Sequence, residues 1–452
     1  MLGECPSGRR YVATASSEKT TSAPYFSYRS GYRHGTYLAE KRYPSNQLTP
    51  KNSLIMTLRE SSLCFQHVAP ELRLFCGEDS LNALARELKR NGCRRAVIVC
   101  GRSISRSSGM AILRSTLGSA LAAECNAVRS NSPVSAVEEV ARFLGDHEAD
   151  ACIAVGGGSA AVTARAASIL LAEKLPVQEL STRRLPNGEF ESPRLNAPKL
   201  PQFVVPTTPS TAFVKAGSAV NMPETRQRLA LFDPKTRAKA LFLHPDFLRT
   251  SPSELVQSAS LNTLSTAVEA LESRKCDPIS EAMLTHALRL IAGYLHRLSP
   301  DDVAAREHLT LAAVLCGRGT EQAGGGLASV LAHAIGHRCD VANGIVNAIV
   351  LPHTMSFNAP QTLRTAPRII EALNYDLPPD GSSAETKPGQ AAEVLDSLFA
   401  KWAIPRRLRD IGVSRSDLAA IAEAAMADWF ISRNARSVSS VDEVKAILNS
   451  AW

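Results

Sequence analysis

The run Ala151–Val155 is short, wholly apolar, and leads into Gly156, Gly157, Gly158 and Ser159 before the helical stretch Ala160–Glu173. A strand so apolar is buried on both faces, and a helix launched from its end must fold back over the sheet. The neighbouring segments agree with this unit. Leu81–Arg90 reads as a helix, Ala96–Cys100 as a strand, Ala111–Cys125 and Val134–Leu144 as helices, and Phe203–Val205 as a strand halted by Pro206. Alternation of this kind predicts a parallel sheet clothed by helices. Beyond about residue 250 the pattern changes. Glu254–Ser273, Pro278–Arg297, Asp302–Cys316, Gly326–His337, Asp417–Asp428 and Val441–Leu448 carry apolar residues at three- and four-residue spacing.

At 452 residues the chain exceeds one core. The expected organisation is an α/β dinucleotide-binding domain over 56–250 and an all-helical domain over 251–452. Residues 1–55 are rich in Ser, Thr, Tyr, Gly and Arg and lack apolar periodicity. They read as a disordered extension, with a mitochondrial targeting segment as the second reading. Pro378–Pro388 is a surface loop by composition.

Composition narrows the function classes. No apolar run reaches about eighteen residues, so no membrane span is expected. The net charge of +8 comes from Lys and Arg scattered singly or in pairs with acids between them, and aromatics make up only 5%. That pattern describes a solvated basic surface rather than a nucleic-acid groove. Ten cysteines without a CxxC pair fit a reducing compartment. The expected location is the cytoplasm, with the mitochondrion as the alternative.

Two loops follow buried strands. Glycines in Gly156-Gly157-Gly158-Ser159 let backbone N–H groups approach an anion at a helix start. Thr207, Thr208, Ser210 and Thr211 offer hydroxyls after the next strand, suited to phosphate or ribose and equally to plain turn chemistry. Two such loops at the carboxyl ends of one parallel sheet point to a nucleotide.

These residues, with Ala267-Val268-Glu269-Ala270, Pro278-Ile279-Ser280, Ala332-His333 and Gly344-Ile345-Val346-Asn347-Ala348 running into Leu351-Pro352-His353, resemble the iron-containing alcohol dehydrogenase and maleylacetate reductase superfamily. The likeness spans roughly residues 65–452. It implies a dehydroquinate synthase-like fold: a Rossmann-like N-terminal domain with a parallel sheet, an all-α C-terminal domain, and an active site between them. It also implies a nicotinamide cofactor on Gly156, Gly157, Gly158, Ser159, Thr207, Thr208 and Thr211, a small-molecule substrate, and a homodimer as candidate assembly. NAD-dependent relatives place an Asp where this chain has Gly101. Arg102 and Ser103, with Arg106 near, favour NADP over NAD.

The family's metal is held by one Asp and three His. The resemblance puts Asn262, Thr266, Ser329 and Asn343 at those positions. Four neutral side chains make a poor transition-metal set, so no metal is expected. They are expected to form a polar substrate pocket instead. Maleylacetate reductases work without a metal, though their His-rich segment is not reproduced here. His333 matches a family His near the nicotinamide and is expected to donate a proton to the developing alkoxide, with His337 orienting it one turn later. Val162 and Arg165 replace the Asp and Lys of the family glycine loop, and Ala212-Phe213-Val214 replaces Gly-Ser-Glu. Phe213 is expected to narrow the cofactor space.

The leading expectation is a metal-independent NAD(P)H-dependent reductase of a small or biosynthetic carbonyl compound. A redox-inactive cyclase or isomerase of specialised metabolism comes second, and a non-catalytic homologue third.

Overall fold

The computed structural model describes residues 64–185, 187, 189–224, 227–299, 301–373, 387–428 and 430–452. The extension at 1–55 and most of the loop at 378–388 lie outside the described residues.

The chain enters on β1 (Arg73–Cys76), followed by α1 (Asn82–Arg90), β2 (Ala96–Cys100), α2 (Gly109–Leu117), β3 (Leu121–Cys125), α3 (Val134–Asp146), β4 (Ala151–Gly156) and α4 (Gly158–Glu173). A small antiparallel pair, β5 (Arg183–Arg184) and β6 (Phe190–Glu191), precedes β7 (Gln202–Pro206). The hairpin β8 (Gly217–Met222) and β9 (Gln227–Phe232) then leads to β10 (Ala238–Leu243). The main sheet is parallel throughout, in the order β1-β10-β7-β4-β2-β3. β2, β4 and β7 are buried along their whole length, as their unbroken apolar runs demand.

Register fixes the functional edge. Cys100 lies opposite Val155, and Gly156 opposite Pro206, so β2, β4 and β7 end in one row. The chain leaves β2 for β3 on one side and β4 for β7 on the other. The switch point between β2 and β4 is where such sheets open a crevice.

One expectation fails here. Ala111–Cys125 is not a helix: α2 stops at Leu117, Gly118 turns at φ 50°, and Leu121–Cys125 becomes the edge strand β3. Its strand character is masked because an edge strand covered on one side keeps Ala and Glu at partly exposed positions.

The second half is helical: α5 (Pro245–Leu248), α6 (Ser253–Glu272), α7 (Pro278–Tyr294), α8 (Val303–Gly319), α9 (Leu327–Cys339), α10 (Asn343–Thr362), α11 (Ala366–Leu373), α12 (Gln390–Lys401), α13 (Leu418–Met426) and α14 (Val441–Ala451). Their starts are chemically specified. Asp277 caps α7 by accepting from the Ile279 and Ser280 N–H groups, with Pro278 in the first turn, and Asp302 caps α8. The long helix α6 is the hub, packed by α7, α8, α9 and α10. Gly344 lets α10 cross α6 at contact distance: a Cβ there would fall inside the Ser258 carbonyl oxygen.

Both halves belong to one compact unit, Cys64–Trp452. Gly317 of α8 lies against Val214 and Thr211, and Arg237 beside the sheet grips Glu321 after α8 at 3.0 and 2.8 Å. Lys215 adds a second cation to Glu321 at 3.6 Å. Burial pushes the Glu321 carboxyl up, but the two cations outweigh it and hold it below its ordinary value. Among the described residues, no helix is long and apolar enough to cross a membrane.

Candidate active site

The glycine loop and the Thr loop are built against each other. Gly156 adopts φ 146°, a conformation that favours glycine. A side chain on Gly157 would meet the Thr208 hydroxyl at 2.8 Å, and one on Gly158 the Ser210 hydroxyl at 2.7 Å. Thr207 N–H donates to the Gly156 carbonyl at 3.0 Å. The first turn of α4 has no side-chain cap, so its N–H groups are presented to an incoming anion. Ser159 serves a different neighbour: its hydroxyl accepts from Asn131 N–H, and its carbonyl accepts from the Ser132 hydroxyl. Asn131 and Ser132 sit at φ 60° and 48°, so this bond pins a turn of unusual backbone. Arg102 and Ser103 lie exposed on the turn that leaves β2, at the same sheet edge.

Two departures from the family loops take an unexpected direction. Phe213 is fully buried in the core beneath the sheet and does not narrow the cofactor space, contrary to expectation. Arg165 is also fully buried, and its guanidinium donates to the Ala212 and Gly217 carbonyls at 2.6 Å each. Burial, then the nearby Arg237, lowers its pKa to about 10. Arg165 thus clamps the short 3₁₀ turn Thr211–Val214 to the start of β8 and supports the Thr loop from behind. These residues fit a dinucleotide: an uncapped helix start, glycines permitting close approach, and hydroxyls locked alongside.

On the helical side, Asn262, Thr266 and Glu269 follow one face of α6 at spacings of four and three. Ser329 and His333 follow one face of α9. Asn262 Oδ1 accepts from Asn347 at 2.9 Å, and Thr266 donates to the Asn262 carbonyl of its own helix at 2.8 Å. Ser329 Oγ donates to Glu269 Oε2 at 2.5 Å, while Ser329 N–H donates to Oε1 at 2.9 Å. Asn343 is exposed at the start of α10 and packs on Gly336.

Iron or zinc does not fit this donor set. The four positions carry amides and hydroxyls, and three of them already hydrogen-bond within the protein. Among the described residues no cluster of three or more His, Cys, Asp or Glu could hold a metal ion.

His333 is half-buried, and its Nδ1 lies 3.0 Å from Asp428 Oδ2. Asp428 holds it in place, and His337, one turn further along α9, is exposed. Burial first, and then Arg228 of β9, lower the His333 pKa, with Asp428 opposing. The imidazole is therefore neutral at pH 7. With its proton on the nitrogen facing Asp428, Nε2 is an acceptor.

Glu269, Asp428 and Arg228 escaped sequence reasoning. Asp428 lies 95 residues from its partner. Glu269 carried a readable signal, because it continues the Asn262–Thr266 stripe by one turn. Shape alone would also mislead: a groove of about 350 Å³ lined by His353, Phe357, Arg436 and Glu443, among others, contains none of these residues.

Residues 70–245 match the family model for iron-containing alcohol dehydrogenase, and residues 257–452 match that for the C-terminal part of the Fe-containing alcohol dehydrogenase family. Lactaldehyde reductase of Escherichia coli (strain K12) is 28% identical over 381 residues, covering 83% of this chain and 97% of that protein. Maleylacetate reductase 1 of Cupriavidus pinatubonensis is 25% identical over 386 residues, covering 84% and 95%. The crystal structure of a 1,3-propanediol oxidoreductase superposes with a TM-score of 0.78 at 22% identity, covering 86% of this chain and all of that one, which supports the fold. With both halves matched in order, the chain belongs to the iron-containing alcohol dehydrogenase superfamily, whose members are alcohol dehydrogenase-like oxidoreductases.

Proposed function

We propose that the protein interconverts a small carbonyl compound and its alcohol with a nicotinamide cofactor and without a metal. The observation that carries this is the interlocked pair of loops at the ends of β4 and β7, where Gly157 and Gly158 leave room only for the Thr208 and Ser210 hydroxyls. Phe213 turned into the core, and Arg165 supporting the Thr loop, remove two objections to cofactor binding.

Gly156, Gly157, Gly158, Ser159, Thr207, Thr208 and Thr211 would hold the cofactor, which supplies hydride chemistry when bound. Arg102 and Ser103, with Arg106, suit a 2′-phosphate, favouring NADP. The neutral His333, held by Asp428, presents Nε2 to the substrate as a hydrogen-bond acceptor. Asn262 and Ser329 bond the substrate oxygen in place of a Lewis acid.

Fluorescence titration with NADPH and NADH tests the reading, paired with iron and zinc analysis of the purified protein. Saturable binding, tighter for NADPH, with substoichiometric metal is expected. Binding of neither nucleotide would overturn the redox assignment and favour the cyclase or isomerase alternative. Stoichiometric iron or zinc would overturn metal independence. Arg102→Asp should shift preference toward NADH by about tenfold, the weight of one charged contact.

A further inference from the structure

We propose that Ser329 and Glu269 together supply the proton to the substrate oxygen in the reducing direction, Ser329 touching that oxygen and Glu269 standing behind it as the proton reservoir. The proposal rests on the reductase reading above.

Without a metal, oxygen gaining charge needs a hydrogen-bond donor. The other candidates near it are engaged or unsuited. Thr266 gives its proton to its own helix, the Asn262 amide can hydrogen-bond the oxygen but not surrender a proton to it, and His333 offers an acceptor nitrogen. Ser329 remains, one turn before His333 on the same face of α9. Its hydroxyl is 2.5 Å from Glu269 Oε2, and neither residue is wholly sealed, at 8% and 6% exposure.

The bond can run both ways. An ionised Glu269 holds the Ser329 proton for itself. A protonated Glu269 donates to Ser329 Oγ and frees the serine proton for the substrate. Burial pushes Glu269 up to about 7 against the pull of its Ser329 and Ala328 bonds. The titratable groups facing it are Asp428, Glu272 on its own helix, and Cys316 of α8, none of them cationic near neutral pH. They favour retention of the proton.

The step balances. The carbonyl carbon gains the hydride that the reduced nicotinamide nucleotide supplies, and that nucleotide is oxidised. The carbonyl oxygen takes the Ser329 proton, Ser329 takes the Glu269 proton, and the resulting carboxylate is reprotonated from water.

A purely structural role for Glu269, capping the first turn of α9, predicts otherwise, because a glutamine would cap equally well. Infrared spectroscopy of the full chain over pH 5–9 should show a carboxylic C=O band lost near pH 7, absent in Glu269→Gln and kept in Glu272→Gln. Reduction of a panel of short aldehydes and 2-oxo acids, followed by NADPH and NADH oxidation, supplies the second readout. On the best substrate, Ser329→Ala and Glu269→Gln should each lower kcat about a hundredfold with little change in KM, and the double variant should add nothing. If Glu269→Gln misfolds, Ser329→Ala carries the test. No band titrating near 7, or an unchanged kcat in Ser329→Ala, overturns this proposal while leaving the reductase reading intact. Absence of cofactor binding, or of turnover across the panel, overturns both.

Discussion

The two walls of the site have met sequence change in opposite ways. At the sheet edge, the contact surface is made of backbone: the uncapped start of α4, the glycine turn, and the Thr loop pressed against it. Side chains around it have been replaced, and Arg165 in particular now points inward as a clamp. In the helical half, the corresponding chemistry depends on four side chains, and each is neutral here. A site built from N–H groups tolerates side-chain exchange because every residue but proline carries the same donor. A metal centre does not, because its donors are the side chains themselves.

The sharpest break in this contrast would come from the helical half's own backbone contact. Gly344→Ala drives a methyl into the Ser258 carbonyl, and should destabilise the protein by about 3 kcal/mol or more, read from the denaturant midpoint. Arg165→Met strips two buried carbonyls of their donor and should lose about 2 kcal/mol, with weaker nucleotide binding as the Thr loop loosens. Gly157→Ala should do the reverse of Gly344→Ala. The Thr208 side chain can rotate away, so stability changes by less than about 1 kcal/mol, while nucleotide affinity falls about tenfold.

The smallest effect sharpens the comparison through pH. Burial raises Glu269 to about 7 and Glu272 to about 8, from an ordinary value of 4.5. The native state then binds protons that the unfolded chain releases, so their contribution is complete below about pH 4.5 and is lost as pH rises toward 7 and 8. Thermal unfolding from pH 5 to 8.5 should show declining stability, and Glu272→Gln should flatten that decline. A decline unaltered in Glu272→Gln would assign it to other groups.

Much of the fold was legible because period and punctuation agree. β2, β4 and β7 are continuous apolar runs, and the glycines after β4 announce the turn. The edge strand β3 was not legible, since its residues carry no strand alternation and follow α2 after only a Gly118 turn. In the site, backbone-defined features could be read and side-chain directions could not. Phe213 and Arg165 occupy altered loop positions, but only packing decides that both turn into the core. Asp428 and Glu269 became visible once distant helices were placed together.

The crossing at Gly344 also bears on how the pocket sorts its guests. With backbone touching backbone at Ser258, α6 and α10 cannot slide past one another, and the Asn262–Asn347 pair spanning them is a fixed gauge. The opposing wall meets this half at the Gly317 contact with Thr211 and Val214 and at the Arg237–Glu321 grip. Selection by length would therefore be made against an unyielding α6–α10 side.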